Sequence, residues 1–297
     1  CLISITKQDA AFRHSLRYSL TGQAPWTYLD ASGQVAPGEV IFSSTTVNFL
    51  VPELFYWSIP ESPTGTCTLE LWTYITDKTY LPEPRTATFT YKADPALSSP
   101  EISCTVQDTN QQTLALTGDD SVLIRYKSNA RMVLEEVFSP ASHEKGVAVQ
   151  YMGQWHYGRE FDFPQVQSDY FTLWLQDSRG YETYREHTQP GFVPYVLLTN
   201  QTVPKRRTPT GNEVDLTVSG SCYVGNFGGQ NNIENAVRVW YRIAQNESQL
   251  TDAPWQEVTP QYDGNSYTVT VALADIPYDQ SRWVETQVQD NLETVTR

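Results

Sequence analysis

LWLQDSRGYETY, residues 173–184, is a strand, a turn and the start of a second strand. Its first residues suit a pleated strand. Gln-Asp leads into Ser-Arg-Gly, where Asp can bond nearby backbone and Gly can take a positive φ. Glu-Thr-Tyr then suits a returning strand. TQVQDNLETV, residues 286–295, repeats the pattern about a domain's length further on. A weaker echo lies in LWTYITDKTYLPEPRTATFTY, residues 71–91, with Asp77 at the turn. A recurring terminal hairpin reads as domain duplication rather than as a catalytic pair.

Short alternating runs fill the space between these hairpins. They include SLRYSL (15–20), CTLELWTY (67–74), ATFTYK (87–92), DYFTLWL (169–175), VRVWYRI (237–243) and SYTVTVAL (266–273). Pro, Gly, Asp, Asn or Ser bounds each one, as expected for antiparallel strands of a sandwich. No amphipathic helix of ten residues is visible. RMVLEEVF (131–138) suits a strand or a short helical turn.

Two breaks divide the chain. ADPALSSPEI (93–102) carries two prolines and small polar residues. QPGFVPYVLLTNQTVPKRRTPTGNE (189–213) carries four prolines, a strand-like YVLL, and the basic Lys205-Arg206-Arg207, which reads as a solvated linker. The sequence therefore predicts an all-β chain of three tandem immunoglobulin- or fibronectin type III-like sandwiches, over 1–94, 95–193 and 194–297. In the last, Trp240 is the expected ring between the two sheets, and the order of strands resembles fibronectin type III.

Composition limits the function classes. Hydrophobic residues make up 39% and aromatics 12% of 297 residues, which excludes a disordered chain. The formal net charge of −14 repels phosphate backbones, so nucleic acid is not an expected partner. No run of about 18 apolar residues is present, and so no membrane span is expected. Cys1, Cys67, Cys104 and Cys222 lack zinc-site spacing and read as free thiols. The absence of an initiator Met and of a signal peptide suggests a fragment or a processed product. The leading Cys1 also admits a lipoprotein.

No catalytic, cofactor or metal site can be assembled. His14, His143, His156 and His187 have no metal-ligand spacing, and His14 reads as a structural histidine. Asp119-Asp120 suits a turn, and the adjacent carboxylates of Glu135-Glu136 do not make a glycosidase pair. The glycines of GNFGGQNN (225–232) suit a tight crossing rather than a phosphate loop. The binding candidate is MGQWHYGREF (152–161). At a hairpin tip, Trp155, His156 and Tyr157 can stack on a sugar, with Arg159 and Glu160 bonding hydroxyls. Equally, Trp155 and Tyr157 share one strand face, and that face can be core.

ITKQDAAFRHSLRYSL (4–19), IPESPTGTCTLELWTY (59–74), SSPEISCTVQDTN with LTGDDSVLIRYKSNARM (98–132), QDSRG, GSCYVGNFGGQNN (220–232) and the final VQDNLETVT carry a resemblance. They are similar to tail-associated minor structural proteins of siphoviruses, a family of unknown function in phages and prophages of Gram-positive bacteria. Thr64 stands where the family pattern has a small Ser. The resemblance implies a virion role at the tail or tail tip, with other tail proteins as partners, host attachment, and no catalytic residues. A symmetric homo-oligomer is expected of a tail component, with host cell-wall glycan as a further partner. The alternatives are a carbohydrate-binding surface adhesin, or an accessory region of a glycan-degrading enzyme.

Overall fold

The computed structural model describes residues 1–21, 26–49, 54–76 and 78–297. The chain is all-β, with 50% of residues in strands and 6% in helices, arranged in several antiparallel sheets. Asp77, the turn residue of the weaker echo, lies outside the described residues.

The fold divides into two compact units. The first is Cys1–Ser103, Glu135–Arg159 and Thr172–Glu186. The second is Cys104–Leu134, Glu160–Phe171 and His187–Arg297.

In the first unit the strand Arg13–Leu20 pairs antiparallel with Thr64–Thr76. The register sets Leu16 opposite Leu71, Tyr18 opposite Leu69 and Leu20 opposite Cys67. The period of two therefore sends Leu16, Tyr18 and Leu20 into a core with Phe49, Phe55 and Leu29. Arg17 points the other way. Its guanidinium lies 2.6 Å from Glu70 and over the rings of Trp26 and Trp72, at 4.7 and 5.6 Å from their centroids. His14 is buried, with Nδ1 3.2 Å from Thr73 Oγ1. Burial, helped by the Lys7 charge, holds its imidazole below the ordinary pKa.

The same unit contains most of a four-stranded sheet. Its order is Gln154–Tyr157, Glu144–Tyr151, Tyr170–Asp177, Glu182–Thr188. Val147, Val149, Leu173 and Leu175 are buried on one face, as the pleat requires.

The second unit contains a two-sheet sandwich. One sheet runs Gln201–Arg206, Val214–Ser221, Ser266–Leu273, Gln261–Asp263. The other runs Gln256–Val258, Arg238–Ala244, Trp283–Gln289, Thr294–Thr296. Leu216, Val218, Val239, Tyr241, Tyr267 and Val288 fill the space between them. Trp240 is not the core ring. It is only half-buried, while its neighbours Val239 and Tyr241 face inward. A shift of one residue along a strand exchanges the two faces.

Two other expectations fail in this unit. YVLL is not a strand. The chain instead pairs Gly191–Val193 in parallel with Val122–Ile124, and Tyr195 drops into a second core with Ile124, Tyr223, Phe227 and Leu292. Nor is the basic cluster a linker. Lys205 pairs with Asp215 in the sheet, Arg206 donates to the carbonyls of Gly211 and Ile276, and Arg207 bridges Glu213 and Asp215.

RMVLEEVF resolves as a strand up to Val137, within Ala130–Val137, with Phe138 just beyond it. A seven-residue helix, Gln111–Thr117, was not legible as an amphipathic run. Its ends carry the local signals: Asn110 accepts from the Gln112 amide, and Gly118 closes it in the left-handed region at φ 64°.

Candidate functional site

The outer face of the four-stranded sheet carries four aromatic rings. The hairpin that starts it turns at Met152-Gly153, with φ of 50° and 80°. Tyr151 pairs with Gln154 across that two-residue turn, and the returning strand carries Trp155 and Tyr157. The rings therefore sit along a strand and not at the tip. Ala148 stands in register with Tyr157 on one side and Trp174 on the other. Ala148 is fully buried, so the rings cover it.

Small residues make room for Trp174. A Cβ at Gly146 would meet the Trp174 ring at 3.1 Å, so the indole lies over the strand at that glycine. Tyr157 meets Trp174 edge-on, with centroids 6.4 Å apart. Trp155, Tyr157, Trp174 and Tyr184 together line a shallow depression of about 200 Å³. Tyr157 is 75% exposed, Tyr184 60% and Trp155 38%, so three rings present area to solvent. At the rim, Gln176 donates to Glu182 Oε1 at 3.1 Å, and the Tyr184 hydroxyl lies 3.5 Å from Glu182 Oε2.

Of the residues singled out in the sequence, only Trp155 and Tyr157 join this face. His156 is on the opposite side of the strand, in register with buried Val149. Arg159 lies beyond the strand, bonded to Glu144 through Nε at 2.9 Å and to Glu136 at 2.8 Å. Glu160 belongs to the second unit and pairs with Arg131. Trp174 and Tyr184 were missed. The available signal was the alternation of DYFTLWL, which places Trp174 opposite in sense to Leu173 and Leu175.

The two Gln-Asp turns are the second functional feature. In the first, Asp177 is fully buried and its Oδ1 accepts from the Tyr181 amide at 2.8 Å. Gly180 takes φ 88° to close the turn. Arg179, only 3% exposed, reaches back to the N-terminal segment. Its Nε donates to Ile59 O at 2.9 Å and its Nη2 to Tyr56 O at 2.9 Å and to Pro140 O. Nη1 donates to Ser139 Oγ at 2.5 Å. Ser178 bonds Pro60 O, and the Tyr181 hydroxyl donates to Ala93 O at 2.6 Å.

The second turn uses the same parts with the charge reversed. Asp290 Oδ1 accepts from the amides of Leu292 and Glu293 at 2.8 and 2.7 Å. Asp290 Oδ2 accepts from the Tyr195 hydroxyl at 2.8 Å and from Asn235. Here Glu293 reaches back, to the Lys127 ammonium and to the Leu198 amide at 2.8 Å. Burial and the two nearby carboxylates push the Tyr195 phenol far above its usual range.

The glycine-dense loop serves this second junction. Asn231 donates from its backbone to Thr117 O at 2.9 Å and from its side chain to Ala115 O at 3.0 Å, satisfying the end of the helix. Gly229, at φ 67°, passes so close that a Cβ would lie 2.3 Å from Thr117 O.

An open cleft of about 860 Å³ in the second unit has an apolar floor of Val214, Leu216, Leu273 and Ile276. Its charged lining is Arg206, Arg282 and Arg297, and no described carboxylate or histidine lines it. Among the described residues, no three His, Cys, Asp or Glu side chains converge as metal ligands, and no helix is long and apolar enough to cross a membrane.

No protein-family model and no curated protein matches the chain. Among solved structures it is similar to a chain in the crystal structure of Dpr2 Ig1-Ig2 in complex with DIP-Theta Ig1-Ig3. The identity is 9% and the TM-score 0.33, over 96% of this chain and 87% of that one. A likeness at that level says nothing about what this chain binds.

Proposed function

We propose that this protein is a non-catalytic structural and adhesive component of a phage tail or tail tip. In this reading it is a spacer of three sandwich domains in series, held among other tail proteins in symmetric copies and used in host attachment. One observation carries the spacer role: both Gln-Asp hairpins are fastened to earlier parts of the chain through charged side chains, buried Arg179 in one unit and half-buried Glu293 in the other. Domains joined by bare linkers move freely by default. A side chain that loses several hydrogen bonds on opening opposes that motion. The placement on a phage rests on the resemblance in sequence described above.

The test is immunogold labelling of particles from a producing lysate with antibodies to this chain. Label at the tail or its tip is expected. Particles that lack the chain while it accumulates on the bacterial surface would replace the virion role with that of a cell-surface adhesin.

A further inference from the structure

We infer that the outer face formed by Trp155, Tyr157, Trp174 and Tyr184 is a carbohydrate-binding site that takes a neutral pyranose by stacking. The site stands on the geometry of one sheet and holds whether or not the chain is carried on a virion.

The rings are on the wrong side of the sheet for a core. Val147, Val149, Leu173 and Leu175 fill the inner face, while the aromatic residues alternate with them on the outer one, Trp155, Tyr157 and Tyr184 exposed and Trp174 half-buried. A sheet face in water normally carries polar residues. Four rings brought together from three strands, three of them exposed and Trp174 half-buried among them, are therefore an unspent apolar surface. Trp174 packs over Gly146, and Tyr157 braces it edge-on. The platform is thus preformed, so a ligand meets rings that have already lost their freedom.

Shape and charge narrow the ligand. The depression holds about 200 Å³, below the roughly 300–1,000 Å³ of an enclosing small-molecule pocket. It suits one flat ring lying across the surface. A pyranose has an axial C–H face that packs on an aromatic ring, and hydroxyls at its edge that need hydrogen-bonding partners. Gln176 and Glu182 supply a donor and acceptors at the rim. The charge of Arg159 is occupied by Glu136 and Glu144, while Glu182 adds negative charge. Phosphate-bearing and other anionic ligands are therefore disfavoured, and neutral or N-acetylated sugars are favoured.

The experiment uses the full chain and its Tyr184→Ala and Tyr157→Ala variants, two of the most exposed rings. Each is titrated with a panel of neutral oligosaccharides: N-acetylglucosamine oligomers, β-glucan oligomers and galactose-containing oligomers. Binding is read by tryptophan fluorescence and by calorimetry, with thermal unfolding as control. At least one class is expected to bind, with a loss of tenfold or more in each variant and an unchanged melting temperature. A panel that fails to bind at millimolar concentration overturns the site, as does binding that survives both substitutions. Loss of self-association in the variants, seen by sedimentation without any sugar binding, would assign the face to a second copy and also overturn it.

Discussion

Arg179 Nε donates a hydrogen bond to the carbonyl of Ile59 at 2.9 Å across 120 residues of sequence. The guanidinium is buried, and its other donors reach Tyr56, Ser139 and Pro140. Burial holds its pKa below the ordinary arginine value, opposed by the nearby Asp177 charge. One side chain thus gathers two other segments of the first unit, 56–59 and 139–140, around a single turn.

Arg179→Ala should destabilise the protein by about 3–5 kcal/mol, because several buried carbonyls lose a charged donor together. Arg179→Lys should recover little, since an ammonium cannot reproduce the planar fork. Urea unfolding of the three proteins, monitored by tryptophan fluorescence, checks this. A change within 1 kcal/mol for Ala would show that the turn is not fastened as described.

Acid should loosen the second junction. Burial works against the Glu293 carboxylate. Hydrogen bonds from Lys127, the Leu198 amide and Tyr195 outweigh it, so the group titrates below its ordinary 4.5. A lowered folded pKa gives stability that is full above the unfolded value and lost as pH falls through the folded one. Glu293→Gln should therefore lower the melting temperature at pH 7 and flatten its decline below about pH 4.5. Scanning calorimetry across that range reads both effects.

Glu136 should behave with the opposite sign. Burial, aided by Glu144, raises its pKa, and the Arg159 charge only partly opposes this. The ionised form is thus disfavoured in the folded state, and its cost falls as pH is lowered. Glu136→Gln should raise the melting temperature at pH 7, with Glu144 still holding Arg159. The gain should shrink toward acid pH in the same calorimetric series.

Gly229→Ala should cost about 2–4 kcal/mol, from the left-handed backbone and from contact with the Thr117 carbonyl. Gly153→Ala, at φ 80° but with open space around it, should cost only the backbone part, about 1–2 kcal/mol. The difference between the two midpoints in denaturant isolates the close approach from the strain.

The four cysteines should react in order of burial. None of them forms a disulfide. Cys1 is exposed, Cys104 half-buried, and Cys67 and Cys222 are buried with pKa values pushed up by burial to about 12 and about 11. A thiol-specific chromophoric reagent should modify Cys1 quickly, and Cys67 and Cys222 only on unfolding. Mass spectrometry of timed samples identifies the sites.

The strands and turns were legible because their causes are local. The alternation in SYTVTVAL or CTLELWTY follows from the pleat, and Asp177, Gly180 and Asp290 announce turns through their own side-chain and backbone chemistry. Alternation also states which residues share a face, as Trp155 and Tyr157 do. It does not state which face meets the core. That depends on what packs against the sheet, and so the exposure of Trp155, Tyr157 and Tyr184, and of Trp240 relative to Tyr241, had to come from the tertiary structure. The same holds for the repeated hairpins. The sequence determined that each Gln-Asp pair ends a strand and turns back. Only the tertiary structure decided that Arg179 and Glu293 would be bonded to segments far earlier in the chain, because such pairings depend on how distant elements meet and leave no periodic trace in either segment.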